Sequence, residues 1–267
     1  MAEGATFTAS WDSPVVVSEP ARQIAGRLSD RFTLVCTDLR GYGGSSKPPS
    51  GPDHAAYSQR AMAIDQVEVM TRLGFDRFGV AGHDRGGRCA YRMAMDHPAR
   101  VARLAVLDII PTSEAYARAD MAFGLGYWHW FFLAQPAPLP ERLMAIDPDG
   151  SFPGAVLRGI AAPEALADCR TAWADATTVH AMCEDYRAGA TVDFEQDRVD
   201  LGTRRILCPT LVLWGDRAPV GRWYDVLDLW SAWAADLRGR ALDCGHFQPE
   251  EDPDGTAREL AAFFQDD

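Results

Sequence analysis

The strongest constraint in this chain is a strand that runs without a linker into a helix across a glycine-bracketed turn. Phe78-Gly79-Val80-Ala81-Gly82 is an apolar run of strand length, and a helix is predicted from about Arg85 to Asp96. Between them stands Gly82-His83-Asp84-Arg85-Gly86-Gly87-Arg88. Small residues on both sides of residue 84 let the strand and helix backbones come close in a strained turn. Such a turn lifts Asp84 to the carboxyl end of a sheet, where a helix N-terminus favours its negative charge. The plainer alternative is an Asp N-cap on a helix that follows a strand.

The rest of the chain repeats the strand–helix rhythm. Phe32-Thr33-Leu34-Val35-Cys36-Thr37 reads as a buried strand, followed by the turn-rich run Asp38 to Ser46. Tyr57 to Leu73 has helical spacing, with Ala61, Ile64, Val67, Val69, Met70 and Leu73 mostly on one stripe. Leu104 to Ile110, Thr210 to Trp214 and Gly239 to Leu242 read as further strands. Alternation of this kind predicts an α/β fold, a mostly parallel sheet flanked by helices. The interval 111–205 breaks the rhythm: it holds Trp128, Trp130, Phe131, Phe132 and Trp173 and no convincing strand. It is predicted to be an inserted helical lid, leaving 1–110 and 206–267 as the core domain. Open α/β sheets place their sites beyond the carboxyl ends of the strands, where such a lid would sit.

Composition narrows the function classes. The 267 residues carry 26 Lys+Arg against 38 Asp+Glu, a net charge of −12. That argues against a nucleic-acid groove or a polybasic membrane patch, both of which need dense basic charge. No apolar stretch reaches the length of a membrane span, and Met1 to Asp12 shows no signal-peptide pattern. The six cysteines contain no Cys-x-x-Cys pair and no zinc-ligand spacing, so no metal is expected. Cys36 and Cys208 fall in apolar runs and are expected to be buried free thiols. These features point to a reduced, cytoplasmic protein whose acidic field opposes anionic substrates at long range.

Three separated features then converge on one chemistry. The turn at Asp84 is the nucleophile-elbow pattern with Asp where a hydrolase usually has Ser. His246 follows the last predicted strand, where this kind of fold presents a base. Asp108 closes the third strand and Asp216 follows the fourth, so either is placed to hold His246 in the right tautomer. The chain order of nucleophile, acid and histidine is that of the α/β hydrolases. Arg85 and Arg88 stand three apart and share a helix face beside Asp84. Two arginines there would grip a carboxylate at short range against the diffuse negative field.

Four strings make the likeness specific: Asp38-Leu39-Arg40-Gly41-Tyr42-Gly43-Gly44-Ser45, Gly82 to Arg88, Leu107-Asp108-Ile109-Ile110-Pro111-Thr112, and Gly245-His246-Phe247-Gln248-Pro249-Glu250-Glu251. Together they resemble the fluoroacetate (haloacetate) dehalogenases of the α/β-hydrolase superfamily, over the chain from about Val35 to the C-terminus. The resemblance implies that Asp84 displaces halide from a small haloacid by SN2 attack. It also implies that His246, oriented by Asp108 ahead of Asp216, activates water to hydrolyse the aspartyl ester. It assigns substrate-carboxylate binding to Arg85 and Arg88, halide binding to His129, Trp130 and Tyr186, no cofactor, and a homodimer. Without the resemblance, Trp128, Trp130 and Phe132 read as lid packing with His129 as their neighbour. An epoxide hydrolase of the same superfamily is the nearest alternative enzyme. It would need two lid tyrosines, Tyr186 and one of Tyr91, Tyr116 or Tyr127.

The N-terminus departs from the family pattern. No His-Gly-x-Pro loop precedes Asp38, and Pro14 to Arg22 leads almost directly into the helix-like Gln23 to Leu28. The first strands are therefore expected to be shortened or rerouted, leaving a sheet edge exposed. The N–H of Arg85 supplies one oxyanion donor, and its usual partner has no identifiable source. A catalytically impaired small-carboxylate binder is accordingly the alternative outside the enzymes.

Overall fold

The computed structural model describes residues 6–12, 19–146 and 163–265. Six parallel strands form one sheet in the order β2-β1-β3-β4-β5-β6: β1 (Thr6–Asp12), β2 (Thr33–Thr37), β3 (Phe78–His83), β4 (Val101–Leu107), β5 (Thr210–Gly215) and β6 (Leu237–Leu242). Helices α1 (Glu19–Leu28), α2 (Gln59–Arg72) and α3 (Asp84–Asp96) connect the first four strands. Between β4 and β5 the described residues hold helices and no strand. These are α4 (Thr112–Ala117), α5 (Met121–Gly126), α6 (Trp128–Leu133), α7 (Leu139–Ile146), α8 (Pro163–Ala174), α9 (Ala176–Ala188) and α10 (Phe194–Asp200). After β5 come α11 (Pro219–Trp223) and α12 (Val226–Ser231), and after β6 come α13 (Gln248–Glu251) and α14 (Pro253–Gln265).

The two-residue alternation of the strands sorts the core into two layers. Ala81, Ala105, Leu107, Leu211 and Leu213 face one side, packed with Ile24 and Leu28 of α1 and Leu260, Phe263 and Phe264 of α14. Val80, Leu104, Val106 and Val212 face the other, with Met62 and Met70 of α2 and Cys89, Tyr91 and Met93 of α3. Strands covered on both faces read as continuous apolar runs, which is why β3, β4 and β5 stand out in the sequence.

β1 does not stand out in the sequence, because Thr6 to Asp12 is rich in Thr and Ser and lacks an apolar run. It nevertheless lies inside the sheet, with Phe7 to Trp11 in register with Gly79 to His83 on one side and Thr6 to Ser10 with Thr33 to Thr37 on the other. The edge of the sheet on this side is β2, which pairs only with β1 among the described residues. Cys36 on β2 is accordingly exposed, contrary to the expectation of a buried thiol, and Cys208 is half-buried.

The turn between β3 and α3 has the close packing its glycines suggest. A Cβ on Gly82 would overlap the Gly86 carbonyl, and one on Gly87 would lie 2.9 Å from the Gly82 oxygen. Bulk at either position would push strand and helix apart and carry Asp84 with them.

Candidate active site

Asp84 opens α3 in a left-handed backbone conformation, with φ of 48°. A non-glycine residue is rarely held there, and such strain gathers at functional turns. Asp108 lies just past the end of β4 and also has a positive φ, 52°. His246 lies in the loop between β6 and α13. The sheet therefore delivers all three residues to its carboxyl-end edge, after β3, β4 and β6.

The ring of His246 bridges the two carboxylates. Its Nδ1 is 2.6 Å from Asp108 Oδ2, and its Nε2 is 3.9 Å from Asp84 Oδ2. Asp108 is fully buried, and its second oxygen accepts from the Gly215 N–H at 2.9 Å. Asp216, the other candidate acid, has a half-exposed side chain that reaches only Arg217, at 4.0 Å. Of the two, Asp108 is the one that touches His246.

The charges of this trio are strongly coupled. Burial works to raise the Asp84 carboxyl, but the hydrogen bond and charge of His246, with Arg88, outweigh it and hold Asp84 well below the usual carboxylate range. Burial disfavours a charged His246, yet Asp108 and Asp84 together push its pKa up to about 10. Burial raises Asp108, against the pull of His246 and the Gly215 N–H. At neutral pH the site thus holds an ionised Asp84 beside a protonated imidazole.

Arg85 and Arg88 are both buried on the face of α3 behind Asp84, but they are not equivalent. Arg85 is forked onto Asp185 of α9, donating from Nε to Oδ2 at 2.7 Å and from Nη2 to Oδ1. Asp185 also accepts from the Tyr42 hydroxyl at 2.7 Å. Arg88 has no carboxylate within ion-pair distance among the described residues. Its Nη1 donates to the Ile110 carbonyl at 3.1 Å and the Thr112 hydroxyl at 3.2 Å, and its buried Nε lacks a partner in the structure. Asp185 thus balances Arg85, whereas the Arg88 charge acts on Asp84.

Two of the three aromatic candidates pack against these arginines, and the third, His129, packs beside Tyr186. The Arg85 guanidinium lies 4.6 Å over the Tyr186 ring, and that of Arg88 lies 4.4 Å over Trp130. Trp130 and Tyr186 are 6.2 Å apart, and His129 is 6.0 Å from Tyr186. Burial lowers the His129 pKa to about 4, so this ring is neutral. Trp128, by contrast, is 38% exposed and packs on Phe132. Among the described residues no group of three or more His, Cys, Asp or Glu is arranged to hold a metal ion, and no helix is long and apolar enough to cross a membrane.

Comparison with known proteins agrees with this geometry. The alpha/beta hydrolase fold family matches residues 7–253. The chain is 47% identical over 250 residues to the fluoroacetate dehalogenase of Burkholderia sp., spanning 91% of this chain and 82% of that protein. The chain belongs to the haloacetate dehalogenase family of the α/β-hydrolase superfamily. The soluble epoxide hydrolase of Corynebacterium sp. strain C12 is more distant, 29% identical over 256 residues, with 91% and 84% of the two chains covered. A solved structure from Nostoc sp. PCC 7120, assigned as an α/β hydrolase, superposes with a TM-score of 0.90 at 44% identity over 98% of this chain and 91% of that one.

Within this dehalogenase-family site, several residues escape a reading of the sequence. Asp185 adjoins Tyr186, but nothing local says that its partner lies 100 positions away. His83 donates from Nε2 to the His246 carbonyl at 2.7 Å, a contact across 163 positions. Tyr127, already a candidate for an epoxide site, is half-buried, and its phenol is raised by burial and by the charges of Asp108 and Asp84. Between α9 and α10, Gly189–Asp193 forms one π-helical turn, which sets the bare Gly189 against Arg85: a Cβ there would lie 3.5 Å from Nη2. Such turns recur at functional sites. Tyr91, one of the tyrosines considered for an epoxide site, is instead buried on α3, its hydroxyl bonded to Thr112 and Asp197. The segment after β1 that would supply a second oxyanion donor, 13–18, lies outside the described residues.

Proposed function

We propose that this protein hydrolyses the carbon–halogen bond of fluoroacetate and related 2-haloacids. The observation that carries the reading is Asp84, strained and ionised, set between the His246–Asp108 pair and the buried cation of Arg88. An Asp84 oxygen attacks the α-carbon, and the carbon–halogen pair leaves with halide, joining substrate to enzyme as an ester. Carboxylate suits this role because water can later cleave its ester. Arg88, with the Asp185-anchored Arg85, holds the substrate carboxylate, and His129, Trp130 and Tyr186 receive the halide as its charge develops. The helical segment 111–205 acts as the lid that carries this halide pocket.

Esterification also switches the base on. While Asp84 is ionised it helps keep His246 protonated; once Asp84 is an ester, that negative charge is gone and the imidazole loses its proton more readily. Neutral His246 then takes a proton from water, the resulting hydroxide adds to the Asp84 carbonyl carbon, and collapse expels the 2-hydroxy acid. The departing alkoxide takes its proton from His246, and the Asp84 carboxyl, which still carries the hydrogen of the added hydroxide, passes it to the neutral imidazole, so that Asp84 returns as carboxylate beside a protonated His246.

Halide release from fluoro-, chloro- and bromoacetate, followed by ion-selective electrode, tests the reading. Release with formation of glycolate is expected, and no release from any of the three would contradict it. The second reading, an epoxide hydrolase, would draw on Tyr127, which stacks on Trp130, contacts His129 and feels the charges of Asp108 and Asp84. Diol formation from a terminal epoxide without halide release would select it.

The raised pKa of His246 has a consequence for stability. A histidine that is easier to protonate when folded contributes stability that is full below its ordinary value of 6.5 and is lost as pH rises towards about 10. The denaturation midpoint should therefore fall across that window. In the variant His246→Asn the slope should be much flatter; an equal slope in both proteins would place the titrating group elsewhere.

A further inference from the structure

We propose that His83 is a positioning residue for His246, required for hydrolysis of the ester and not for displacement of halide. The inference rests on the reading of His246 as the base. His246 must aim Nε2 at a water beside the Asp84 ester, yet it sits in a loop. Asp108 fixes the ring through Nδ1, which leaves the main chain to be fixed separately. The His246 carbonyl accepts from His83 Nε2 at 2.7 Å and from the Gln248 N–H at 3.0 Å. The Gln248 contact lies within the same segment, so of these two His83 is the one that ties the His246 carbonyl to the sheet, beside the Arg217 N–H that holds the Cys244 carbonyl earlier in the loop.

His83 is well placed for that task. It is the last residue of β3, in register with Trp11 of β1 and Leu107 of β4, and only 4% exposed. A carbonyl accepts and cannot donate, so His83 carries its proton on Nε2. Its ring centroid is 4.7 Å from that of His246 and 6.2 Å from that of Phe247. Burial, with the neighbouring His246 charge, lowers the His83 pKa to about 3, so it stays neutral while His246 cycles its proton. One strand end thus presents the nucleophile at Asp84 and anchors the base through the residue before it. Asp84 needs no hydrogen bond from His83 to attack, whereas His246 needs its loop held to within a fraction of an ångström. A misplacement of about 1 Å can cost on the order of a hundredfold in rate.

The test separates the two chemical steps in His83→Leu, which cannot donate, and His83→Gln, whose amide N–H can. Each is mixed with bromoacetate; the halide burst reports displacement, and intact-protein mass reports the ester and its decay. In His83→Leu the burst rate is expected to match the wild type while ester decay slows roughly tenfold to a hundredfold, so that ester accumulates at steady state. His83→Gln should recover most of the decay rate. Should the leucine variant fail to fold, His83→Asn, too short to reach the carbonyl, replaces it in the same comparison with His83→Gln. Equal loss in both steps would make His83 a space-filling residue, and unchanged ester decay would remove it from the mechanism. Absence of any halide release in the wild type is a different result, and it overturns the dehalogenase reading itself.

Discussion

Asp84→Asn is expected to abolish halide release, by roughly 10⁴-fold or more, the scale on which removal of a nucleophile or its base acts in other hydrolases. The carboxamide is nearly the same size, and Asn tolerates the left-handed conformation that residue 84 adopts, so the turn should survive. What disappears is the nucleophilic oxygen. The amide oxygen carries no full charge, and attack through it would not give the ester on which the second step acts. The negative charge that helps hold His246 protonated is lost with it. The variant should keep a folded far-ultraviolet spectrum and a cooperative thermal transition while showing no halide burst. Undiminished activity in a preparation confirmed by mass would remove Asp84 from the nucleophile role.

His246→Asn should fail in a different way. Displacement needs only the Asp84 carboxylate and a held substrate, so about one equivalent of halide should appear and then stop. Without the imidazole no group activates water at the ester, and positioned base catalysis of this kind contributes roughly 10²–10⁴-fold. The protein should gain the mass of one carboxymethyl group, on a peptide containing residue 84. Continued turnover without an adduct would mean that the two-step route is wrong. The contrast with Asp84→Asn is the informative part: one variant never starts, and the other starts and cannot finish.

Much of this site is legible in the sequence because its local chemistry is unusual. A glycine-bracketed turn between a strand and a helix leaves few placements for Asp84, and Asp108 and His246 stand at strand ends that apolar runs announce. The partners that tune the site are another matter. Asp185 and His83 are ordinary in their own neighbourhoods, and their roles arise from contacts that only the folded chain creates. The arginine pair shows the difference well. Spacing puts Arg85 and Arg88 on one face, but only the approach of α9 decides that Arg85 is charge-balanced while Arg88 is not. β1 escaped notice for the opposite reason: its Thr- and Ser-rich sequence lacks the apolar run expected of an interior strand. The edge expected from the N-terminus exists, but at β2, where it leaves Cys36 in solvent.

The central claim, that an Asp84 oxygen becomes bonded to substrate carbon, is tested most directly by a single turnover in heavy-oxygen water with enzyme in excess over bromoacetate. If Asp84 is the nucleophile, the glycolate of that first turnover carries unlabelled oxygen from the protein, and the label appears in the Asp84 carboxylate. If water attacks the substrate directly, the label appears in the first-turnover glycolate and the peptide containing Asp84 stays unlabelled, which would contradict the account.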